Sequence, residues 1–502
     1  MFKTLPLFIA ATVLFIYLFQ ISYKIINSNI RINQLEIIYK QKSFAVLHKY
    51  DSLRNFGKIN PNKIKISTNT YIKHDFYYID DPITQSTFKE IFSNATATTF
   101  ANEYNNFNTD LEDYLKMIQD YYYSPLLAGL TDEGNDTIEG IDISFFTYTI
   151  YKPPYKTSSR NAPNCTILML VRNWEVDGAL KTIRALEDRF NKNHRYDWVF
   201  LNDEPFTLSF IRSTSSFVSS GKIKYGIIPK THWNPPVANT SDKNGLNMTA
   251  VNLNMESMEK RGVLYGGVLS YRNMCRFQSM KFYKHPAMLE YEYYMRAEPN
   301  VEYFCDFHMD PFEYLYKKNA KYGFVISMYE YEDTIPTLWE TVENFIEGEI
   351  NDGCKLGNCW DFITDSGIAG KYRPVVASNS DYNLCHFWSN FEVGSLSFYR
   401  SEKYNNFVAY LDNTGGFYYE RWGDAPIHTI GALMLLNEEE IVHFDTIGYY
   451  HAPFGTCPNS ENIRLQQKCI CDPTHLKNID IQPNSCLMRW WKHGGGKKFT
   501  YF

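Results

Sequence analysis

Apolar and polar positions follow a regular pattern from about residue 161 onwards. Residues 166–171 and the run that begins at Tyr196 are short apolar stretches bounded by polar residues, which is typical of parallel strands buried on both faces. Residues 175–190 between them carry apolar side chains at helical spacing. Strand, helix and strand in this order predict a βαβ unit and therefore a parallel sheet.

An aromatic-rich run at residues 291–296 predicts the central strand of this sheet. Proline cannot continue a central strand, so the strand ends before Pro299 and leaves Glu298 at its carboxyl end. Ligands bind at the carboxyl ends of strands in open α/β sheets. Further elements are predicted as strands at residues 224–228 and 322–328 and as helices at residues 111–123 and 337–346.

A long apolar run precedes this patterned region. Residues 5–23 contain no charged side chain and are long enough to span a bilayer. The run lacks a small-residue cleavage site and therefore predicts an uncleaved membrane anchor behind a cytoplasmic tail of residues 1–4. Residues 24–160 carry no sustained motif and are interpreted as a stem, which leaves residues 161–502 as the main domain.

The composition and the missing motifs argue against several classes of binding partner. The chain of 502 residues has a net charge of −6 and no basic cluster large enough to follow a phosphate backbone, which argues against a nucleic-acid partner. It contains 39 Tyr, 35 Phe and 9 Trp, and aromatic faces suit sugar rings, although most of these side chains must pack in the core. No G-x-G-x-x-G or P-loop motif indicates dinucleotide or ATP binding.

Glycosylation motifs and cysteines favour a luminal location for the main domain. The ten cysteines suit disulfides, and the closely spaced pairs Cys354/Cys359 and Cys469/Cys471 lack the spacing of a zinc site. The Asn-X-Ser/Thr triplets begin at Asn94, Asn135, Asn164, Asn239 and Asn247. The charges that flank the apolar run do not by themselves define its orientation.

Several acids and histidines could form a site for a nucleotide sugar. Glu298 and a histidine such as His451 could hold a divalent cation that neutralises a departing diphosphate. Glu392 or Asp424 could stabilise the positive charge that develops at the anomeric carbon of a sugar. Taken alone, a histidine such as His386, His428 or His451 is usually a core or surface residue. Glu392 could face solvent, and spacing does not choose between the two acids.

Ten motifs follow one another between residues 161 and 497. They are LVRN (170–173), ALEDRFN (185–191), YDWVFLNDEPF (196–206), LYGGVLSYRNMCRF (264–277), YEYYMRAEPNVEYFCDF (291–307), KYGFVISMYEYEDTIPTLW (321–339), SDYNLCHFWSNFEVG (380–394), GGFYYERWGDAPIHT (415–429), HFDTIGYYHAPFGTCP (443–458) and LMRWWKHGGGK (487–497). Together they resemble the fungal Golgi α-1,2-mannosyltransferases of the Kre, Ktr and Mnt type, glycosyltransferase family 15.

The resemblance implies an α/β fold of the GT-A type, in which helices flank a Rossmann-like, mixed and mostly parallel sheet. It implies a single-pass type II protein of the Golgi membrane whose luminal catalytic domain uses GDP-mannose and Mn²⁺ and retains the α configuration. The acceptors would be mannosylated glycans of glycoproteins, O-linked or N-linked, in the synthesis of cell-wall mannan.

The resemblance also assigns site residues. Glu298 and His451 resemble metal ligands, and Glu392 resembles the carboxylate that faces the anomeric carbon, where it would either attack or stabilise the cation. The expected donor-binding residues are Arg172, Asn173, Tyr271, Arg276 and Asp424. The expected acceptor-binding residues are Tyr418 and Tyr419.

Two residues depart from the family pattern, and two other functions stay open. Asn300 stands where the Glu-Pro-Asp element usually has Asp, and Trp174 replaces a small polar residue. The same donor could serve the transfer of mannosylphosphate. The protein could also be a catalytically silent luminal glycan-binding protein, although the presence of Glu298, Glu392 and His451 argues against that function.

Overall fold

A computed structural model describes most of the main domain. The described residues are 137–138, 141–142, 147–152, 163–236, 245–351, 356–364 and 382–496. The predicted anchor at 5–23 and the predicted helix at 111–123 lie outside the described residues. Within these ranges, no helix combines the length and the apolar character needed to cross a membrane.

The described residues form fifteen strands and fifteen α-helices. The strands are β1 Thr137–Ile138, β2 Ile141–Asp142, β3 Thr147–Lys152, β4 Cys165–Leu170, β5 Asp197–Asn202, β6 Gly221–Ile227, β7 Tyr293–Arg296, β8 Glu302–Tyr303, β9 Tyr322–Phe324, β10 Ser327–Tyr329, β11 Cys385–Phe387, β12 Glu392–Ser395, β13 Ile441–His443, β14 Tyr449–His451 and β15 Phe454–Thr456. The helices are α1 Val176–Leu186, α2 Lys192–His194, α3 Leu208–Phe217, α4 Lys230–Trp233, α5 Met248–Lys260, α6 Leu269–Met280, α7 Pro311–Lys318, α8 Leu338–Asn351, α9 Asp361–Thr364, α10 Leu396–Tyr399, α11 Glu402–Asn413, α12 Gly416–Tyr419, α13 Asp424–Leu435, α14 Glu461–Gln466 and α15 Leu487–His493.

Eight strands form the central sheet, in the order β13-β9-β12-β7-β4-β5-β6-β3. The neighbours β7/β4, β4/β5, β5/β6 and β13/β9 are parallel, whereas β12 and β3 run antiparallel to their neighbours. The predicted βαβ unit is therefore confirmed as β4-α1-β5. The fold is the expected mixed α/β architecture with a mainly parallel sheet.

Apolar side chains cover both faces of the sheet. Along β4, Ile167 and Met169 pack into one buried layer, and Leu168 packs into the other. In β5, Trp198 and Val199 likewise point to opposite layers. Alternate side chains of a strand face opposite sides, so a run that is apolar throughout can be buried on both.

The strand predicted at residues 322–328 is wrong as one element. The chain forms β9, which belongs to the central sheet, and then β10, which pairs with β11 in a separate two-stranded sheet. Val325 and Ile326 between them are buried. An apolar run that is buried throughout gives no local signal for the point at which the chain changes sheets.

A small sheet of order β15-β14-β8 is cross-linked to its surroundings. Among the described residues, the disulfides are Cys305–Cys469, Cys385–Cys486 and Cys457–Cys471. The close neighbours Cys469 and Cys471 therefore do not pair with each other: Cys469 pairs with Cys305, 164 residues away, and Cys471 pairs with Cys457, 14 residues away. Cys354 of the other close pair lies outside the described residues.

Asp480 gives this region a pH-dependent stability. Its Oδ2 accepts a hydrogen bond of 2.5 Å from Thr456 on β15, and its Oδ1 is buried without a partner among the described residues. Burial raises the pKa of Asp480 to about 7, although the Thr456 hydroxyl opposes the shift. The neutral acid is therefore favoured in the folded state, and its stabilising contribution is present below about pH 4 and is lost as the pH rises through about 7.

We expect Asp480→Asn to become more stable than the wild type as the pH rises from 4 to 8, by at most about 1.4 kcal/mol for each pH unit below the folded pKa. Thermal unfolding of both proteins across this range measures the difference. Asp472→Asn is the matched control, because hydrogen bonds from Thr474 lower the pKa of Asp472. Parallel pH curves for the wild type and Asp480→Asn would contradict the prediction.

Candidate active site

Glu298 and His451 meet at the carboxyl edge of the central sheet. Glu298 follows β7 and His451 ends β14, and the imidazole Nε2 lies 3.3 Å from Glu298 Oε2. Burial disfavours ionisation of Glu298, but Arg296 and His451 lower its pKa. Burial also disfavours the charge on His451, but the hydrogen bond with Glu298 raises the pKa of His451. The predicted metal ligands therefore lie side by side and partly exposed.

Arg296 lies between two acids. Its Nε donates to Glu298 Oε1 at 3.0 Å, and its Nη1 donates to Asp424. Ser389 Oγ donates to the same oxygen of Asp424 at 2.7 Å. Burial raises the pKa of Asp424, but Arg296 overcomes this effect and lowers it. One guanidinium therefore keeps Glu298 and Asp424 ionised and fixes their separation.

Glu392 is completely buried at the same edge. Because β12 is antiparallel to β7, the first residue of β12 lies beside the end of β7. Tyr294 donates to Oε1 at 2.6 Å, Tyr322 donates to Oε2 at 2.9 Å, and His428 Nδ1 lies 2.9 Å from Oε2. Both carboxylate oxygens are therefore occupied by protein groups, and the solvent-facing alternative for Glu392 is wrong.

His428 is the counter-charge of Glu392. Its Nε2 lies 3.0 Å from the carbonyl oxygen of Gln278, which can only accept, so Nε2 carries a hydrogen. Its Nδ1 faces Glu392, and although burial disfavours the charge, the pKa of His428 is raised by this carboxylate. Asp424 and His428 are four residues apart on α13 and share one face of that helix. The helix therefore carries one buried acid, Asp424, and the histidine that contacts the other, Glu392.

Arg172 follows β4 at the same edge and is surrounded by carboxylates. Asp203 and Glu204 follow the neighbouring β5. Burial raises the pKa of each of these acids, and Arg172 opposes both shifts. The backbone NH of Arg172 also donates to Glu175 Oε2 at 2.8 Å. Arg172 therefore lies at the carboxyl edge of the sheet, close to the carboxylates of Asp203 and Glu204.

The side chain of Asn173, next to Arg172, is held by two hydrogen bonds to the backbone of another loop. Its Nδ2 donates to the carbonyl oxygen of Pro205 at 2.9 Å, and its Oδ1 accepts the backbone NH of Thr207 at 2.8 Å. These bonds join the loops that follow β4 and β5. Both polar atoms of the amide are used in this way, so a direct contact with a donor remains a prediction.

Tyr271 lies in the first turn of α6, and two side chains pack against its ring. Its ring centroid is 4.5 Å from that of Tyr265, and the guanidinium carbon of Arg421 lies 5.2 Å from the ring centroid. Burial raises the pKa of Tyr271 well above its usual value. Arg421 shortly precedes Asp424 in the chain, which connects this aromatic stack with the acids of the site.

Three predicted binding residues make contacts with other protein groups. Arg276 makes a two-pronged ion pair with Asp412, with distances of 2.6 and 2.8 Å. Tyr418 donates to Asn273 Oδ1 at 3.0 Å. The Tyr419 hydroxyl accepts the backbone NH of Asn247 at 2.9 Å. The contacts that join Glu298, Arg296, Asp424 and His451 include none of these three predicted residues, and their binding roles stay predictions.

The two departures from the family pattern lie in different surroundings. Asn300 adopts a left-handed conformation with φ of 64°, and its amide packs so closely against Gly178 of α1 that a β-carbon there would lie 2.5 Å from Asn300 Nδ2. This position suits Asn. Trp174 follows Asn173 and is 71% exposed, beside the end of β4.

Arg296 and Ser389 were not predicted as site residues, and His428 was named only as one of several histidines that could be a ligand or a core residue. The signal for Arg296 was present, because alternation along β7 and its extension puts positions 294, 296 and 298 on one side. Ser389 reaches the site from another element, whereas His428 lies four residues after Asp424 on the same helix, a spacing that places both on one face.

The donor set fits a divalent transition ion. Among the described residues, no group of three or more His, Cys, Asp and Glu side chains is placed to hold a metal. Glu298 and His451 offer one oxygen and one nitrogen ligand, a combination that suits ions such as Mn²⁺. The remaining positions of such an ion would be filled by oxygens of an anionic ligand and by water.

Comparisons with known proteins agree with this geometry. The family model for glycolipid 2-alpha-mannosyltransferase matches residues 143–495. The chain is 54% identical over 337 residues to the probable mannosyltransferase KTR2 of Saccharomyces cerevisiae, which covers 67% of this chain and 77% of that protein. It is 44% identical over 348 residues to the alpha-1,2 mannosyltransferase KTR1 of the same yeast, which covers 69% of this chain and 82% of that protein.

A solved structure has the same fold. The Mn/GDP form of core-mannan synthase A (CmsA/Ktr4) from Aspergillus fumigatus aligns with a TM-score of 0.61 and 35% identity, over 68% of this chain and 88% of that protein. The resemblance seen in the motifs is thereby confirmed over residues 143–495. The chain belongs to the glycolipid 2-alpha-mannosyltransferase family.

Proposed function

We propose that this chain transfers mannose from GDP-mannose to a mannose hydroxyl of a glycan, forming an α-1,2 linkage with retention of configuration. The observation that carries the proposal is the pairing of Glu298 with His451 at the carboxyl edge of the sheet, 3.3 Å apart. A related structure at 35% identity holds Mn and GDP, which supports the same donor and metal here.

Glu298 and His451 would hold Mn²⁺ in this chain. The bound ion supplies positive charge that stabilises GDP as the leaving group. Arg296 orients Glu298 and keeps it ionised, because its guanidinium is held by Asp424 on the other side. The protein thus presents a preorganised carboxylate and a histidine at the place where the diphosphate departs.

Glu392 and Asp424 supply negative charge near the reacting carbon. Glu392 has no exposed surface, and its oxygens are occupied by Tyr294, Tyr322 and His428. These contacts favour an electrostatic role over direct attack, because a nucleophile needs an oxygen that can reach the substrate. Asp424 is held by Arg296 and Ser389 and contributes a second fixed charge.

The location and acceptors belong to the same proposal. The uncharged run at residues 5–23 and the disulfides of the described domain support a single-pass type II protein whose domain lies in an oxidising lumen, as in the Golgi. Mannosylated glycoprotein glycans of the cell wall are the proposed acceptors.

The test uses the full chain in detergent with GDP-mannose, Mn²⁺ and a panel of α-mannosides. We expect GDP release together with a new α-1,2-linked mannose, and we expect chelation to abolish both. A phosphomannose product would instead establish mannosylphosphate transfer. Donor binding without any product would favour a silent glycan-binding protein.

A further inference from the structure

Tyr265 forms an exposed aromatic surface beside the site. Its side chain is 49% exposed, and one face of the ring stacks on Tyr271 at 4.5 Å with an angle of 16° between the planes. The neighbouring Leu264 and Val268 are also exposed, at 66% and 41%. The loop before α6 therefore presents apolar surface to the solvent, with a flat ring at its centre.

The backbone of this loop is fixed in a strained form. Tyr265 has φ of 58°, a left-handed conformation that is unfavourable for a bulky side chain and that glycine would adopt freely. Gly266 lies so close to α5 that a β-carbon would be 2.7 Å from the Met258 side chain. The buried Arg272 donates to the carbonyl oxygen of Gly266 at 2.7 Å and to that of Glu420 at 3.0 Å. The surrounding structure thus holds an exposed tyrosine in a backbone conformation that would require less free energy for glycine.

Two ring contacts and a short stretch of chain link Tyr265 to the acids of the site. Tyr265 stacks on Tyr271, and Arg421 lies over Tyr271. Asp424 follows Arg421 in the chain and is bonded through Arg296 to Glu298. Glu298 and His451 mark the position of the leaving diphosphate, so the aromatic stack lies at the other end of this series.

We infer that Tyr265 is a platform for the acceptor sugar, on which a hexopyranose of the acceptor glycan stacks through its C–H face. The electron-rich face of an aromatic ring attracts such C–H groups, and the apolar surface of Leu264 and Val268 extends the platform. Arg421 lies over the Tyr271 ring at 5.2 Å from its centroid, so a guanidinium stands beside the stack and could bind sugar hydroxyls. This inference rests on the proposed function and assigns the acceptor side of the same site to a residue outside the predicted set.

The test compares Tyr265→Ala, Tyr265→Gly and Tyr265→Phe in the full chain. We expect the Ala and Gly variants to raise KM for a methyl α-mannoside acceptor by about tenfold, which is about 1.4 kcal/mol of lost binding. KM for GDP-mannose is expected to stay unchanged in both variants. The melting temperature is expected to stay unchanged in Tyr265→Ala, and to stay unchanged or rise in Tyr265→Gly because glycine removes the backbone strain. Tyr265→Phe keeps the ring and is expected to behave like the wild type.

Tyr316→Ala is the matched control, since Tyr316 is 43% exposed on α7 and lacks the strained backbone. Saturation-transfer NMR with methyl α-mannoside, GDP and Mn²⁺ gives a readout that does not need turnover, and its signal is expected to be lost in Tyr265→Ala. An unchanged acceptor KM and NMR signal would overturn the inference, as would an equal loss of donor binding and stability. If the wild type forms no mannoside from any acceptor, the proposed function fails instead.

Discussion

Glu392→Gln is expected to lower kcat for mannosyl transfer by about 100- to 1,000-fold. Glutamine keeps the size of the side chain but removes a negative charge that is completely buried and therefore weakly screened. His428 then loses the carboxylate that raises its pKa, and burial favours its neutral form. Initial rates with GDP-mannose and a mannoside measure the loss, and GDP affinity measured separately is expected to stay the same.

Two Tyr→Phe variants distinguish the effect of the Glu392 charge on kcat from the effect of its hydrogen bonds. Tyr322→Phe removes one donor to Glu392 but leaves the charge, so we expect a smaller loss of about tenfold. Tyr382→Phe makes the same chemical change at a buried hydroxyl that has no hydrogen-bond partner among the described residues, and we expect no loss. Thermal unfolding of each variant distinguishes an effect on catalysis from an effect on the fold.

Normal turnover by Glu392→Gln would show that this acid does not serve the reaction. A mannosyl adduct on Glu392, detected by mass spectrometry after rapid quenching, would replace the electrostatic role with direct attack. Either result would leave Asp424, the other buried acid at this edge and a partner of Arg296, as the candidate for the electrostatic role.

Local sequence patterns predicted the parts of the fold that have local causes. The apolar runs of β4 and β5 and the helical spacing of α1 are visible because each strand of a parallel sheet is buried on both faces. Pro299 predicted the end of β7 and with it the position of Glu298. These predictions concern residues whose neighbours in sequence determine their conformation.

The rest of the site depends on contacts between distant segments. Glu298 follows a strand of the central sheet and His451 ends a strand of the small sheet, so their proximity was expected from metal chemistry and the family resemblance and not from a local pattern. The burial of Glu392 follows from its place between β7 and β9 and from Tyr294, Tyr322 and His428, none of which is near it in sequence. Spacing along the chain carries no information about such a cluster, so it left the two acids equivalent.

Two structural details also correct how single residues are interpreted. The amide of Asn300 packs against Gly178, so the missing charge at this position need not weaken a metal site. Tyr265 carries no sequence signal beyond its type, because backbone strain and exposure are visible only in three dimensions. Both cases concern backbone conformations at positive φ, which sequence patterns describe poorly outside glycine.

His451→Ala is expected to raise the Mn²⁺ concentration needed for half-maximal activity by at least about tenfold. The Nδ1 of His451 lies 3.0 Å from the carbonyl oxygen of Ala452, an acceptor that keeps a hydrogen on Nδ1 and leaves Nε2 as the ligand atom. Because Glu298 keeps its bond with Arg296 in this variant, the arginine network remains in place. Activity measured over a Mn²⁺ titration gives the value.

Asn300→Asp is the control for the metal site. Asn300 lies two residues after Glu298, but its amide is packed against Gly178, so a carboxylate there is expected to change the Mn²⁺ requirement little. A large gain in Mn²⁺ affinity for this variant would mean that position 300 can supply a metal ligand.

Mn²⁺ and GDP are further expected to strengthen each other's binding. Glu298 and His451 would supply two protein ligands to the ion, and the negatively charged diphosphate would supply further oxygen ligands. Calorimetry should therefore give Mn²⁺ a higher affinity when GDP is present, and GDP a higher affinity by the same factor when Mn²⁺ is present, because coupling between two ligands is reciprocal. His451→Ala should reduce this factor in both directions. Two protein ligands alone would bind Mn²⁺ weakly, so binding at Glu298 and His451 should depend on GDP and on His451. An Mn²⁺ affinity that is independent of GDP and unchanged by His451→Ala would therefore place the metal elsewhere.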